Sequence, residues 1–224
     1  MKQTLFSMDY ATQAYNIFKD HETYGQRRIQ SQFIMAGNWL DHMCPEKSLD
    51  NLYQALFESE KMNVGYLMGM AHANLGICYD QLEELEKSSS HLRKSLEIYR
   101  EENNSYQGRV IFNLAHVEVK QGNTIVANDL YLEGKEFAET NQKLDDLAKM
   151  ELLKGLYLEN DTDLVRESFK FFKERGMYAD LEEYAIVAAE VLRRREKVYD
   201  ALDFYRAAVE AKRLIKRSVV LDEI

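Results

Sequence analysis

GMAHANLGICYDQLEELEKSSSHLRKSLEIY, residues 69–99, decides how the chain is read. Its first half carries Leu75, Gly76 and Tyr79, and its second half carries Ser88, Leu92 and Ser95. Two small residues seven apart, flanking a large apolar one, share one helix face and let a second helix nest closely. The stretch therefore reads as an antiparallel helical hairpin. One such hairpin cannot bury its own apolar face, so it calls for neighbours of its own kind.

The neighbours are there. Small pairs seven apart recur at Ser7/Ala14, Ser48/Ala55, Ser88/Ser95, Ala127/Gly134 and Ala201/Ala208. The first four begin 41, 40 and 39 residues apart, and the fifth follows 74 residues later, which leaves room for one more copy. Asp163 to Gly176 fills that gap, with Phe169, Phe171 and Phe172 in place of the small positions. The order small, large, small resembles the tetratricopeptide (TPR) unit, although these spacings exceed the ~34 residues of its standard form. First helices taken to begin at Gln30, Gly69, Gly108, Leu147 and Glu182 keep spacings of 39, 39, 39 and 35. Loop signals fall at His21 to Tyr24, Met43 to Pro45, Gln121 to Asn123 and Asn160 to Thr162, with Asn123 and Asp161 or Thr162 as helix N-caps.

The expected fold is all-α, a right-handed TPR solenoid of about five and a half helical hairpins. Its single domain spans 1–224, with an orphan half-repeat over 4–20 and hairpins over 26–61, 65–102, 106–140, 144–176 and 178–217. The orphan helix exposes an apolar flank of Phe6, Tyr10 and Ile17, which an upstream domain, a second copy of the chain or a local rearrangement would cover; a homodimer is one of the expected outcomes.

Composition narrows the function. A net charge of −9 argues against nucleic acid as a partner, because phosphate contacts call for a basic face. A cationic peptide, or a basic patch on another protein, fits the balance better. No apolar run approaches the ~20 residues of a membrane span, and no signal peptide opens the chain; a cytoplasmic location is expected, with no membrane partner. Cys44 and Cys78 read as buried thiols without metal-ligand spacing. His42, His72, His91 and His116 form no metal-spaced pair. With no phosphate loop, HExxH or GxSxG, the chain presents no catalytic, metal or cofactor residues.

FSMDYATQAYNIFKDHETY (6–24), FIMAGNWLD (33–41), NLGICY (74–79), LLKGLYLEND (152–161) and MYADLEEYAIVAAEV (177–191) together resemble the Rap family of quorum-sensing proteins. The resemblance covers essentially the whole chain. It implies a TPR domain that binds short secreted and re-imported signalling peptides, the Phr peptides, and a response regulator as protein partner. In the phosphatase members an N-terminal three-helix bundle supplies the catalytic glutamine. That bundle has no counterpart here, so the chain as it stands is expected not to be an enzyme. A TPR adaptor without a peptide ligand, or part of a response-regulator aspartate phosphatase, are the alternative readings.

First helices of a TPR array line its concave groove. In the register above, Asn38, Asp41, Asn74, Asn113 and Glu151 fall on groove positions. An asparagine amide both accepts and donates, so Asn74 and Asn113 on successive helices can hold a peptide backbone without reading its side chains. Asp41 would pair with an arginine or lysine, and Glu151 with the peptide's amino terminus or a second cation. The resemblance points most directly to Asp41, Asn74 and Glu151; Asn38 and Asn113 rest on the register. Outside such a groove, each would read as an ordinary solvated residue.

Overall fold

The computed structural model describes residues 2–221, with side chains over 6–216. Met1 and residues 222–224, which the single-domain expectation includes, lie outside the described residues. The chain is all-α among the described residues. Its helices are α1 (Lys2–Phe18), α2 (Gly25–Asp41), α3 (Leu49–Met62), α4 (Gly65–Gln81), α5 (Leu85–Glu101), α6 (Gln107–Lys120), α7 (Thr124–Thr140), α8 (Leu144–Leu153), α9 (Thr162–Glu174), α10 (Tyr178–Arg194) and α11 (Val198–Leu221). None of them is long and apolar enough to cross a membrane.

What makes so many helices stop on time is a repeated backbone device. Met43, Asn63, Glu83, Asn103, Gly122, Gln142, Asn160, Gly176 and Glu196 all have positive φ, at intervals of 16 to 20 residues. A left-handed residue turns the chain back and lets the next amide reach a carbonyl five residues earlier. That bond closes α2 (Cys44 N to Trp39 O, 3.0 Å), α4 (Glu84 N to Tyr79 O, 2.9 Å) and α6 (Asn123 N to Glu118 O, 2.9 Å). The end of α8 departs from the rule. There the backbone widens into a π-turn over Lys154–Leu158, and Asp161 N reaches six residues back to Gly155 O at 2.8 Å. Gly155 permits this, since a Cβ would stand 2.9 Å from the Asp161 carbonyl oxygen. Asp161 then caps α9, its carboxylate accepting from the amides of Asp163 and Leu164. The Asn123 side-chain amide donates to Glu118 Oε2 at 2.8 Å.

The small pairs do what their spacing promises. Ser48, Ala55, Ser88, Ser95 and Ala127 are fully buried. Ser88 Oγ donates to Gly76 O at 2.7 Å and Ser95 Oγ to Gly69 O at 2.8 Å, so the second helix lies directly on the first helix's backbone. Gly76 is what makes the approach feasible, because an added Cβ would stand 2.5 Å from Leu92 Cγ.

The described residues divide into two compact units, one running to Leu130 and one from Tyr131, with the boundary inside α7. In the first, α1 packs on α2, α2 on α3, α3 on α4, α4 on α5 and α5 on α6. Ile29, Ala36, Leu52, Leu67, Leu75 and Cys78 lie in its core. In the second, α8 packs on α9, α9 on α10 and α10 on α11. Phe169 and Phe172, large residues at formerly small positions, fill that core together with Phe204. Both cysteines are free thiols; Cys78 is buried, which pushes its pKa up to about 11, and Cys44 is half-buried. On α1, Phe6, Tyr10 and Ile17 are each more than 60% exposed.

Candidate functional site

The left-handed residues fix how the first helices align. Met43, Glu83 and Gly122 end α2, α4 and α6, and they stand 40 and 39 residues apart. The hydroxyl contacts agree: Ser48 reaches Ala36 O as Ser88 reaches Gly76 O, again 40 residues on. The expected spacing of 39 from α2 to α4 is therefore one residue short. In the observed register Ile34, Asn74 and Asn113 occupy equivalent places, and so do Asp41, Gln81 and Lys120.

That single residue corrects the placing of Asn38. It corresponds to Cys78 and Val117, both buried, and is itself only 6% exposed. Its Nδ2 donates to Ser7 Oγ on α1 at 3.0 Å and to Ile34 O within α2 at 2.9 Å, so both amide hydrogens are used and one of them ties α2 to α1. Asn38 holds two helices together and does not face a groove.

Asn74 and Asn113 are placed differently. Both are half-buried, and neither side chain makes a hydrogen bond to any described residue. Ile34, their counterpart on α2, is 49% exposed. The three make a column across α2, α4 and α6 whose two amides are open. Their polar atoms are not sealed from solvent, so water or a ligand can satisfy them. Asp41, seven residues beyond Ile34, is exposed and has no hydrogen-bond or ion-pair partner among the described residues.

The rest of that face is already paired. Lys120 Nζ lies 2.8 Å from Asp80 Oδ1 and 3.3 Å from Glu83 Oε1. Burial works against the ammonium, but these two carboxylates outweigh it and raise its pKa. His116 stacks on Phe112 with Nδ1 4.0 Å from Asp80 Oδ2. Burial drives its pKa down although Asp80 opposes this, so the imidazole is held neutral.

In the second unit Glu151 is engaged. Its Oε1 accepts from Lys135 Nζ at 2.9 Å and from the Tyr131 hydroxyl at 3.2 Å. The cation expected from a ligand is supplied here by the chain's own lysine. Sequence reasoning missed Gln81, which the turn-to-turn register would have put beside Asp41. Among the described residues, no group of three metal-binding side chains is present.

No protein-family model matches the chain. It is 36% identical over 224 residues to "Response regulator aspartate phosphatase I" of Bacillus subtilis (strain 168), an alignment that takes in all of this chain and 57% of that protein. The chain thus spans a little over half the length of this curated relative. Its fold superposes on the crystal structure of the apo form of RapI with a TM-score of 0.93 and 36% identity, covering 97% of this chain and 80% of that one. A Rap protein complexed with Competence and Sporulation Factor gives a TM-score of 0.91 at 32% identity, covering 96% and 61%. Full-chain identity at this level, together with the matching fold, makes this chain a member of the Rap family.

Proposed function

We propose that the first unit is a receptor for a short signalling peptide, and that peptide occupancy controls a response regulator. The observation that carries this reading is the pair of unpartnered, half-buried amides of Asn74 and Asn113 on neighbouring helices. Each presents one acceptor and two donors to a peptide unit, which suits an extended backbone of any sequence. Asp41 adds a free carboxylate at the end of α2, so the ligand is cationic. The Rap protein complexed with Competence and Sporulation Factor, and the naming of the curated relative as a response regulator aspartate phosphatase, support the same reading. On this proposal the receptor works in the cytoplasm, and the exposed stripe of α1 serves as a homodimer contact.

The test is calorimetry with short arginine-containing peptides. A lost amide grip costs ~1–2 kcal/mol, so Asn74→Ala and Asn113→Ala each weaken binding by roughly fivefold to thirtyfold. Asp41→Ala weakens cationic peptides selectively. Affinities unchanged in all three variants would remove the site. Light scattering at micromolar concentration decides the dimer.

A further inference from the structure

Gln81 closes α4 at the place that Asp41 holds in α2 and Lys120 in α6. The three have different fates. Asp41 has no partner among the described residues, and Lys120 is satisfied by Asp80 and Glu83. Gln81 lies between them, half satisfied. Its Nε2 donates to Leu40 O, the carbonyl just before Asp41, at 3.5 Å. Its Oε1 is shielded from solvent and has no hydrogen-bond partner.

A bond of that length is marginal, and a buried carbonyl without a donor is costly. Turning the side chain outward gives up little and releases an acceptor next to Asp41. What would come to meet both groups is set by geometry. A guanidinium presents five donors in one plane, so a carboxylate can take one edge while an amide oxygen takes another N–H. An ammonium is a compact charge that Asp41 can hold without help.

We propose that Gln81 is a specificity-determining residue of the peptide site, accepting from a guanidinium whose other edge Asp41 holds, so that arginine is preferred over lysine there. This rests on the peptide reading of the same face. In the ligand-free protein the amide is tucked against α2; with an arginine bound it faces the ligand. Asn74 and Asn113 hold the backbone, and Gln81 reads one side chain.

The experiment uses the full chain and two pools of pentapeptides, identical except for one fixed residue, arginine or lysine, with alanine, glycine or serine elsewhere. Pool affinities are measured by equilibrium dialysis with mass-spectrometric readout. In the unmodified protein the arginine pool binds about tenfold more tightly than the lysine pool, equivalent to one good hydrogen bond to a charged group. Gln81→Met brings the two within about threefold, through loss of arginine binding alone. Gln81→Asn, which keeps the amide but shortens its reach, does the same and guards against a folding defect in the first variant. An unchanged arginine-to-lysine ratio in both variants, or an equal loss for both pools, overturns the assignment. If Asn74→Ala still weakens binding of both pools in that case, the peptide reading survives and only the role of Gln81 falls. If neither pool binds the folded protein, both fall together.

Discussion

Acid should loosen the first unit at one identifiable pair. His72 on α4 and His91 on α5 meet through their Nδ1 atoms at 2.9 Å, and Tyr79 stacks on His91 at 5.5 Å between ring centroids. One proton between two nitrogens makes this a hydrogen bond of two neutral imidazoles. Tyr53 from α3 and Tyr79 close the site with their hydroxyls 2.6 Å apart, and the Lys94 ammonium opposes a further positive charge there. Burial, then His91, then Lys94 lower the His72 pKa from 6.5 to about 4, and burial with Lys94 lowers that of His91 too. A histidine whose folded pKa is depressed stabilises the fold fully above its unfolded value near 6.5 and loses that contribution as pH falls toward 4. The full His72 shift sets a ceiling of about 3 kcal/mol; because pH 5 still lies above the folded value, about 2 kcal/mol is lost between pH 7 and pH 5. The replacement to compare is His72→Gln with His91→Gln, since α2 already carries a buried glutamine, Gln32, at the position equivalent to His72. Urea unfolding followed by Trp39, the chain's one tryptophan, reports on this unit. The unmodified protein should lose about 2 kcal/mol more than the double variant over that pH interval. Equal pH slopes for the two proteins would refute the argument.

Four further outcomes follow from the packing, the backbone conformation and the caps. Gly76→Ala destabilises by about 1–2 kcal/mol net, because overpacking against fully buried Leu92 outweighs the gain in helix propensity. Gly37→Ala, also inside a helix but with nothing within 4 Å of the new Cβ, stabilises by up to about 1 kcal/mol; urea midpoints of opposite sign for the two changes are expected. Gly176→Ala forces a side chain into φ +70° with no steric contact to blame, and should cost about 1–2 kcal/mol in the second unit, read by circular dichroism. Asp161→Ala removes the cap of α9 and should lower stability by about 1 kcal/mol, with Asp161→Asn recovering most of it in the same assay.

Much of this architecture is visible in the residues themselves, for a physical reason. Ser88 and Ser95 must be small to lie on the Gly76 and Gly69 carbonyls, so the spacing of small residues records the approach of two helices. What spacing cannot record is contact between helices whose partners differ from repeat to repeat. His72 meets His91, while the equivalent Gln32 donates to Glu58 instead. The π-turn after α8 is similarly hidden, because LLKGLYL reads as an unbroken helix until Gly155 is found against the Asp161 carbonyl.

The misplaced Asn38 shows how finely a groove must be read. A helix turns about 100° per residue, so one extra residue between α2 and α4 aligns Asn38 with buried Cys78 in place of half-buried Ile77. The left-handed turn residues carry the register better than the apolar pattern does, since each marks a helix end. Aligned on them, the first unit presents two columns seven residues apart, about 10 Å along each helix. The column Ile34, Asn74 and Asn113 is uncharged, and its amides can serve any peptide backbone. The column Asp41, Gln81 and Lys120 changes chemistry at every step: a free carboxylate, an amide with an idle acceptor, and an ammonium already neutralised. On the proposed peptide reading, a receptor built this way would draw general affinity from the first column and discrimination from the second. Substitutions among the three second-column residues should therefore change which peptide is bound more than how tightly peptides bind as a class.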